Sequence, residues 1–579
     1  MLDAFADLEA TATDWAVRSD RRGMLRGALR WRTALLRAAL EQGGPLGAVL
    51  TAARELQALA AADPSAAASW TPPTDEGTLL LADDMLLGVG LLQTDSGIEL
   101  VSLYDMVAGR EMLAAPSQLF RIALTDADRN PASLGSADGW GSWRARSGGT
   151  VVDARPTAQI EAVFESPLAE GLRQITATLS CEISGGESRW SISVSNDSQW
   201  SIDEVRMPDL RAVRIGDSRS DDTLYVPQGY GRAYPGGVGA RYLGYYPSGS
   251  CALPMLLVSD DTSGLYLCAH DPGASTRMIN SDRPSGDGTP LNIMEPAPNA
   301  AVVGNDFRTA GEIVIARVDG GWYPATQKYR AWLQASAPWW PAGDPDYGRD
   351  DRPAWLDDVA AWVLYSGGPE TVVGPTKAFA EYMGLPVAIH WYNWHEIPFD
   401  NDYPHYFPTK PGFAEGVAEL QAHGVRITPY INGRLWDTDT QSFQEVGHLH
   451  CTRDRDGEPY IEVYGSGEEL APMCISQQLW RDMLHEIVMR LMTEVNVDGV
   501  YMDQIAAARP RLCYDAGHGH PLAGGHWWVD GYWELLERIQ ADIAVVSPDK
   551  MLTTESNAES YARWFDTYLM CNSLGDGLV

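Results

Sequence analysis

Lysine is nearly missing from this chain. Only Lys328, Lys377, Lys410 and Lys550 occur in 579 residues, and arginine carries the other positive charges. Lys and Arg together number 43 against 78 Asp and Glu, a formal net charge of −35. Such an acidic chain repels polyanions, which argues against DNA, RNA or an anionic membrane face as partners. The acids are scattered, so no acidic tail is indicated. Also missing is any apolar run of the roughly 20 residues that crosses a bilayer. SDRRGMLRGALR holds a twin-arginine look-alike, but Arg30, Arg32, Arg37 and Glu41 follow it and interrupt any apolar leader. An amphipathic helix is the expected structure there. None of the seven cysteines (181, 251, 268, 451, 474, 513 and 571) forms a CxxC pair. A structural zinc site is therefore not expected, and the odd, dispersed set implies reduced thiols and a cytoplasmic setting.

At this length two to four domains are expected, and 45% hydrophobic with 21% charged residues is an ordinary globular balance. Tryptophan is plentiful, 21 residues against 10 phenylalanines. An indole offers an apolar face with a polar edge, which suits a sugar ring as well as a core.

The chain divides by texture. Residues 1–75 read as an N-terminal helical segment, with Leu25, Leu29, Leu36 and Leu40 on one face, closed by SWTPPTDEGT. Residues 76–345 contain short alternating runs such as RQITATLSCEI and RWSISVSND, separated by turn residues, which implies a large β-sandwich. A helix over GGWYPATQKYRAWLQASAPWWP leads out of it. From 346 to 579 strands alternate with helices. The expected strands are 359–367, 386–394, 425–433, 498–505 and 551–558, with a sixth at 567–572. GFAEGVAELQAHG, LWRDMLHEIVMRLMTEV and WVDGYWELLERIQADIAVV read as the helices between them. Apolar strands in that rhythm imply a (β/α)8 barrel, expected here to be incomplete at its C-terminal end.

In such a barrel the C-terminal strand ends build the active face. Those ends carry Tyr365 and Ser366; His390, Trp391, Tyr392 and Trp394; Asn432 and Arg434; Asp503 and Gln504; Glu555 and Asn557. Aromatics, amides and two carboxylates at one mouth describe a carbohydrate site, with Trp391, Trp394 and Trp436 as platforms and Asn432, Arg434 and Asp437 as polar contacts. Glycoside cleavage needs one acid to protonate the leaving oxygen and a second carboxylate at the anomeric carbon. Asp503 and Glu555 close successive strands and fit nucleophile and acid/base respectively. The loop CYDAGHGHPLAGGHWW holds His518, His520, His526 and Asp515. Zinc or iron is one reading of it, but no HxxxH or HExxH frame is present. The expectation is a covering loop whose His518 or His520 bonds substrate, with no metal or cofactor.

NDYPHYFPTKPGFAEGVAELQAHGVRITPYINGRLWD, GVYMDQIAA, GHGHPLAGGHWWVDGY and TTESNAESYARWFD together resemble an uncharacterised glycoside-hydrolase-like family, domain of unknown function 6259. The last stretch matches a Glu, Glu, Asp pattern at Glu555, Glu559 and Asp566, which adds Glu559 to the candidate contacts. SGLYLCAHDPGAS resembles part of a galactose-mutarotase-like supersandwich. More distantly the layout is similar to endo-α-N-acetylgalactosaminidases and related retaining α-glycosidases, in which a supersandwich precedes the barrel. The resemblance implies an Asp nucleophile on strand four, an acid/base Glu on strand five and α-linked substrates in an oligosaccharide or glycoconjugate. Carried over by position, the two roles fall on Asp503 and Glu555. A carbohydrate-binding protein with a non-hydrolytic barrel is the alternative, and a metal-dependent hydrolase built on the histidine loop is a third.

Overall fold

The structure is a computed structural model that describes residues 70, 72 and 77–570, apart from 153–154, 238, 240, 261, 285, 342, 345–347 and 350. Apart from Trp70 and Pro72, the expected N-terminal helical segment lies outside the described residues, as does the chain beyond residue 570.

Between Thr78 and Asp319 the strands form two large antiparallel sheets, of eleven and ten strands. The alternation in the sequence sets their faces. Along Ile175–Ser184 every second side chain is buried, and the same holds along much of Glu187–Asn196. Gly185 and Gly186, at φ +68 and +79, make the two-residue turn between these strands. Side-chain-bearing residues rarely adopt that pair of angles, so glycines fix the hairpin and its register.

One buried cation crosses this region. The Arg277 guanidinium is fully buried; it donates to Asp271 at 2.8 Å and Glu295 at 3.1 Å, and to the Ala310 carbonyl. Glu295 also accepts from the Ala310 N–H and Asp271 from the Gly273 and Ser275 N–H groups. The charges are thus paired and their remaining lone pairs largely occupied, the condition under which buried ions are tolerated.

Helix α1 (Trp322–Ser336) follows, burying Ala325, Tyr329 and Leu333 at four-residue spacing. Beyond it lies a six-stranded parallel sheet: β1 (Ala361–Ser366), β2 (Val387–Tyr392), β3 (Val425–Asn432), β4 (Gly499–Asp503), β5 (Met551–Glu555) and β6 (Thr567–Leu569). The strands pair in sequence order, consistent with part of a TIM-type barrel. Helices α2 (Pro369–Met383), α3 (Phe413–Ala422), α4 (Gln478–Arg490) and α5 (Trp527–Val546) connect the first five strands. Three of these helices match the predicted segments. The sequence reading does not contain α2, because Pro369, Gly374 and Pro375 break up its periodicity. Pro429, an oddity inside β3, sits where pairing to β2 ends and pairing to β4 begins. Among the described residues, no helix is long and apolar enough to cross a membrane.

Replacing Arg277 with Met tests the buried triad. The variant leaves two carboxyl groups in the core without their cation, and unfolding free energy in urea is expected to fall by about 3–5 kcal/mol. A loss under about 1 kcal/mol would show that the pairing contributes little.

Candidate active site

The register of the parallel sheet decides what meets at its C-terminal edge. Asn432 pairs with Asp503 across β3 and β4, and Met502 with Thr554 across β4 and β5. Asp503 and Glu555 are therefore level, one residue beyond a paired position on neighbouring strands. The Glu555 charge is felt at Asp503, as the level positions of the two strand ends require. The Tyr430 hydroxyl donates to Asp503 Oδ2 at 3.0 Å, and the Tyr501 hydroxyl to Oδ1 at 3.0 Å. Two buried carboxyls that act on each other cannot both ionise cheaply. Burial first, and then the Glu555 charge, push Asp503 well above the usual carboxylate range, while the tyrosine donors pull it down.

Three of the strands end alike. Asn393, Gln504 and Ser556 have φ of +55, +68 and +62 and directly follow Tyr392, Asp503 and Glu555. Left-handed backbone is unfavourable for such residues and recurs where the surroundings hold a site in place. The turn at each mouth ends the strand sooner than the sequence predicts. After β4 the new direction is held by the Gly433 N–H, which donates to the Asp503 carbonyl at 3.1 Å.

Aromatic rings wall the pair. Tyr392 stacks on Tyr430 with centroids 4.5 Å apart, Phe399 lies 5.2 Å from Tyr430, and Tyr501 is 5.7 Å from Tyr430. Phe399 is 37% exposed, so its ring is open to a ligand. Tyr430, Tyr501 and Phe399 are not among the residues predicted from sequence. The signal for the first two is strand periodicity: Tyr430 precedes Asn432 by two positions and Tyr501 precedes Asp503 by two, so each pair shares a face.

Gln504 and Arg434 extend the polar rim. Arg434 is buried, donates to Gln504 Oε1 at 3.0 Å, and pairs bidentately with Glu462. Glu462 also accepts from Arg511 and Tyr464. Burial works against its charge, but Arg434 and these partners hold its carboxyl down at about 2. Asn432 uses Oδ1 to accept from the N–H groups of Arg434 and Leu435, while its buried Nδ2 makes no hydrogen bond. A buried donor left over beside the carboxyl pair is a group a substrate oxygen could satisfy.

Other predicted contacts lie elsewhere. His390 sits one layer deeper, stacked on Trp362 at 4.7 Å; burial lowers it to about 4, so it is neutral. Trp391, Trp394 and Trp436 are core residues, not platforms. Trp391 packs on Phe413 and donates to the Gly367 carbonyl; Trp394 lies between Tyr406 and Phe413; Trp436 is covered by Trp480 and Phe443. Asp437 is buried and accepts from the Asp402 and Asp439 N–H groups, a loop-fixing role. Asn557 donates to the Gly229 carbonyl and lines a separate cavity of about 360 Å³ with Tyr230 and Trp322. Glu559 points toward the antiparallel sheets, accepting from Tyr246 at 2.7 Å, Tyr329 at 2.9 Å and Trp339 Nε1. Burial pushes it up to about 7 despite those three donors. His518 and His520 face Cys513 and Cys474. This meeting of thiols and imidazoles is a fold-level contact that cysteine spacing does not anticipate.

Residues 307–577 match the family model described as Domain of unknown function (DUF6259). The matched stretch holds β1 to β6 and therefore both carboxylates. Two curated proteins are similar over a longer span, and both bear the name "Putative glycoside hydrolase". One, from Bacteroides thetaiotaomicron, is 31% identical over 427 residues, covering 73% of this chain and 60% of its own length. The other, from Monosiga brevicollis, is 31% identical over 389 residues, covering 61% of this chain and 32% of its own. The chain thus spans less than two thirds of either relative. Among solved structures, the α-N-acetylgalactosaminidase NagBb from Bifidobacterium bifidum in complex with GalNAc superposes with a TM-score of 0.63 at 14% identity. The match covers 86% of this chain and 78% of that one, and at such identity it speaks to fold.

The tyrosine donors give the carboxyl pair a measurable signature. Tyr430→Phe removes one group that favours ionised Asp503. The protonated-carboxyl band in pH-difference infrared spectra is expected to persist to higher pH by up to about one unit, equivalent to about 1.4 kcal/mol. The sign follows from linkage. Asp503's folded-state value is raised, so its contribution to stability is full below the unfolded value and is lost as pH rises through the folded one. A shift to lower pH would show that Tyr430 does not donate to the pair.

Proposed function

We propose that the protein is a retaining glycoside hydrolase acting on α-linked sugars of an oligosaccharide or glycoconjugate, with Asp503 as nucleophile and Glu555 as acid/base. The carrying observation is the pair of carboxyls at level ends of neighbouring strands, close enough that Glu555 acts on Asp503. Retaining enzymes work with roughly 5–5.5 Å between the two groups and inverting ones with roughly 6.5–9.5 Å, leaving room for a water. Neighbouring strands lie about 4.7–4.9 Å apart, which favours the shorter, retaining separation. The names of the two curated relatives support the same chemical class.

The division of labour rests on hydrogen bonds. Asp503 keeps two tyrosine donors, which favour its ionised form. With a sugar bound, Glu555 carries the proton and Asp503 is ionised. Glu555 then protonates the glycosidic oxygen as Asp503 attacks the anomeric carbon, forming a glycosyl-enzyme. In the second step Glu555 takes a proton from water, whose oxygen displaces Asp503. Tyr392 and Phe399 supply the ring faces, and Gln504, Arg434 and the Asn432 amide the polar contacts. In architecture, we propose a supersandwich over residues 76–345 followed by a (β/α)8-type catalytic barrel from residue 346.

An activated fluorosugar panel with peptide mapping tests the reading. Label is expected on the peptide carrying Asp503, and label elsewhere overturns the assignment. Glu555→Gln should lose about 10²–10⁴-fold on substrates with poor leaving groups. Azide should restore turnover and give a glycosyl azide of retained configuration. Sugar binding without turnover, unchanged in Asp503→Asn, would instead establish a non-hydrolytic carbohydrate-binding protein.

A further inference from the structure

Outside the carboxyl site, four soft ligands converge. Cys474, Cys513, His518 and His520 each present one ligand atom, and all four atoms lie within 4.8 Å of one another. Cys474 Sγ is 3.4 Å from His520 Nε2, and Cys513 Sγ is 3.4 Å from His518 Nδ1. Around a tetrahedral zinc with its usual Zn–S and Zn–N bond lengths, sulfur and nitrogen ligands stand about 3.6 Å apart. The cluster is already close to that size.

The outer nitrogens are committed in the way metal ligands require. His518 Nε2 lies 3.0 Å from the Leu449 carbonyl and His520 Nδ1 lies 2.8 Å from the Pro521 carbonyl. A carbonyl only accepts, so each of these nitrogens carries the hydrogen. In that tautomer the other nitrogen of each ring faces a cysteine. Fixing the tautomer through the second nitrogen is the usual outer support of a ligating imidazole. Asp515 Oδ2 stands 3.5 Å from His518 Nε2, and Trp527 stacks on His520 at 3.9 Å with 9° between the planes. Both cysteines are buried and free.

We infer that Cys474, Cys513, His518 and His520 form a zinc site of structural type, independent of the carboxyl pair. Binding replaces the two thiol protons with Zn²⁺, so the Cys2His2 centre is neutral and its two protons go to solvent. All four positions are filled by protein, which leaves none open for an activated water. The site ties the loop after β4 to the segment that opens α4, and so braces the loop that follows Asp503.

Metal analysis of the full chain, purified under reducing conditions, tests this directly. The expected result is about one zinc per chain, falling close to zero in His520→Ala and in the Cys474→Ser, Cys513→Ser double variant. If a variant fails to fold, the wild type serves. Zinc is stripped with a mercurial reagent and chelator, and Co²⁺ added to the folded protein should give thiolate charge-transfer and tetrahedral ligand-field bands. The site is overturned by folded wild type that lacks zinc and gives no such bands. Undiminished zinc in the variants overturns it too, as does a Cys474–Cys513 disulfide in the freshly purified protein. None of these readouts depends on glycosidase activity.

Discussion

Two carboxyl groups brought to level, neighbouring strand ends of a parallel sheet are the constraint on which the rest of the site depends. Coulomb repulsion opposes the ionisation of both, and burial strengthens the penalty. The surroundings keep the pair together all the same. Tyr430 and Tyr501 anchor Asp503, and left-handed backbone at Gln504 and Ser556 aims both strand ends at one spot. Stability is spent there on a geometry that packing alone would not choose, a common pattern where residues are arranged for chemistry.

Much of this was legible in the sequence for a simple reason. An apolar strand that ends in a carboxylate is a costly pattern, and it occurs twice in succession, at VYMD and MLTTE. The parallel sheet and three of its helices follow from unbroken periodicity. Where periodicity is interrupted, legibility fails: α2 carries two prolines and a glycine. The tyrosine anchors went unseen because attention to strand ends overlooks the residue two positions before. The sequence allows a metal at the histidine loop, which holds Cys513, His518 and His520, but does not reveal the fourth partner, because Cys474 is separated from them by α4 and β4.

Tryptophan teaches the opposite lesson. Its abundance suggested sugar platforms, yet Trp140, Trp339, Trp391, Trp394, Trp480 and Trp528 are among the largest fully buried side chains. With phenylalanine scarce, indoles fill core volume, and several satisfy their N–H on a nearby carbonyl, as Trp391 and Trp394 do. The open ring at the mouth is Phe399, and its tyrosine neighbours bring hydroxyls that matter to the carboxyl pair.

Glu559 follows Glu555 by a single turn of chain and is gripped by Tyr246 from the antiparallel region, Tyr329 of α1 and Trp339 beyond it. The segment behind Glu555 is therefore bolted to a different part of the molecule. Any shift of the β5 terminus would strain those three hydrogen bonds, so the strand end that carries Glu555 is coupled to the antiparallel region.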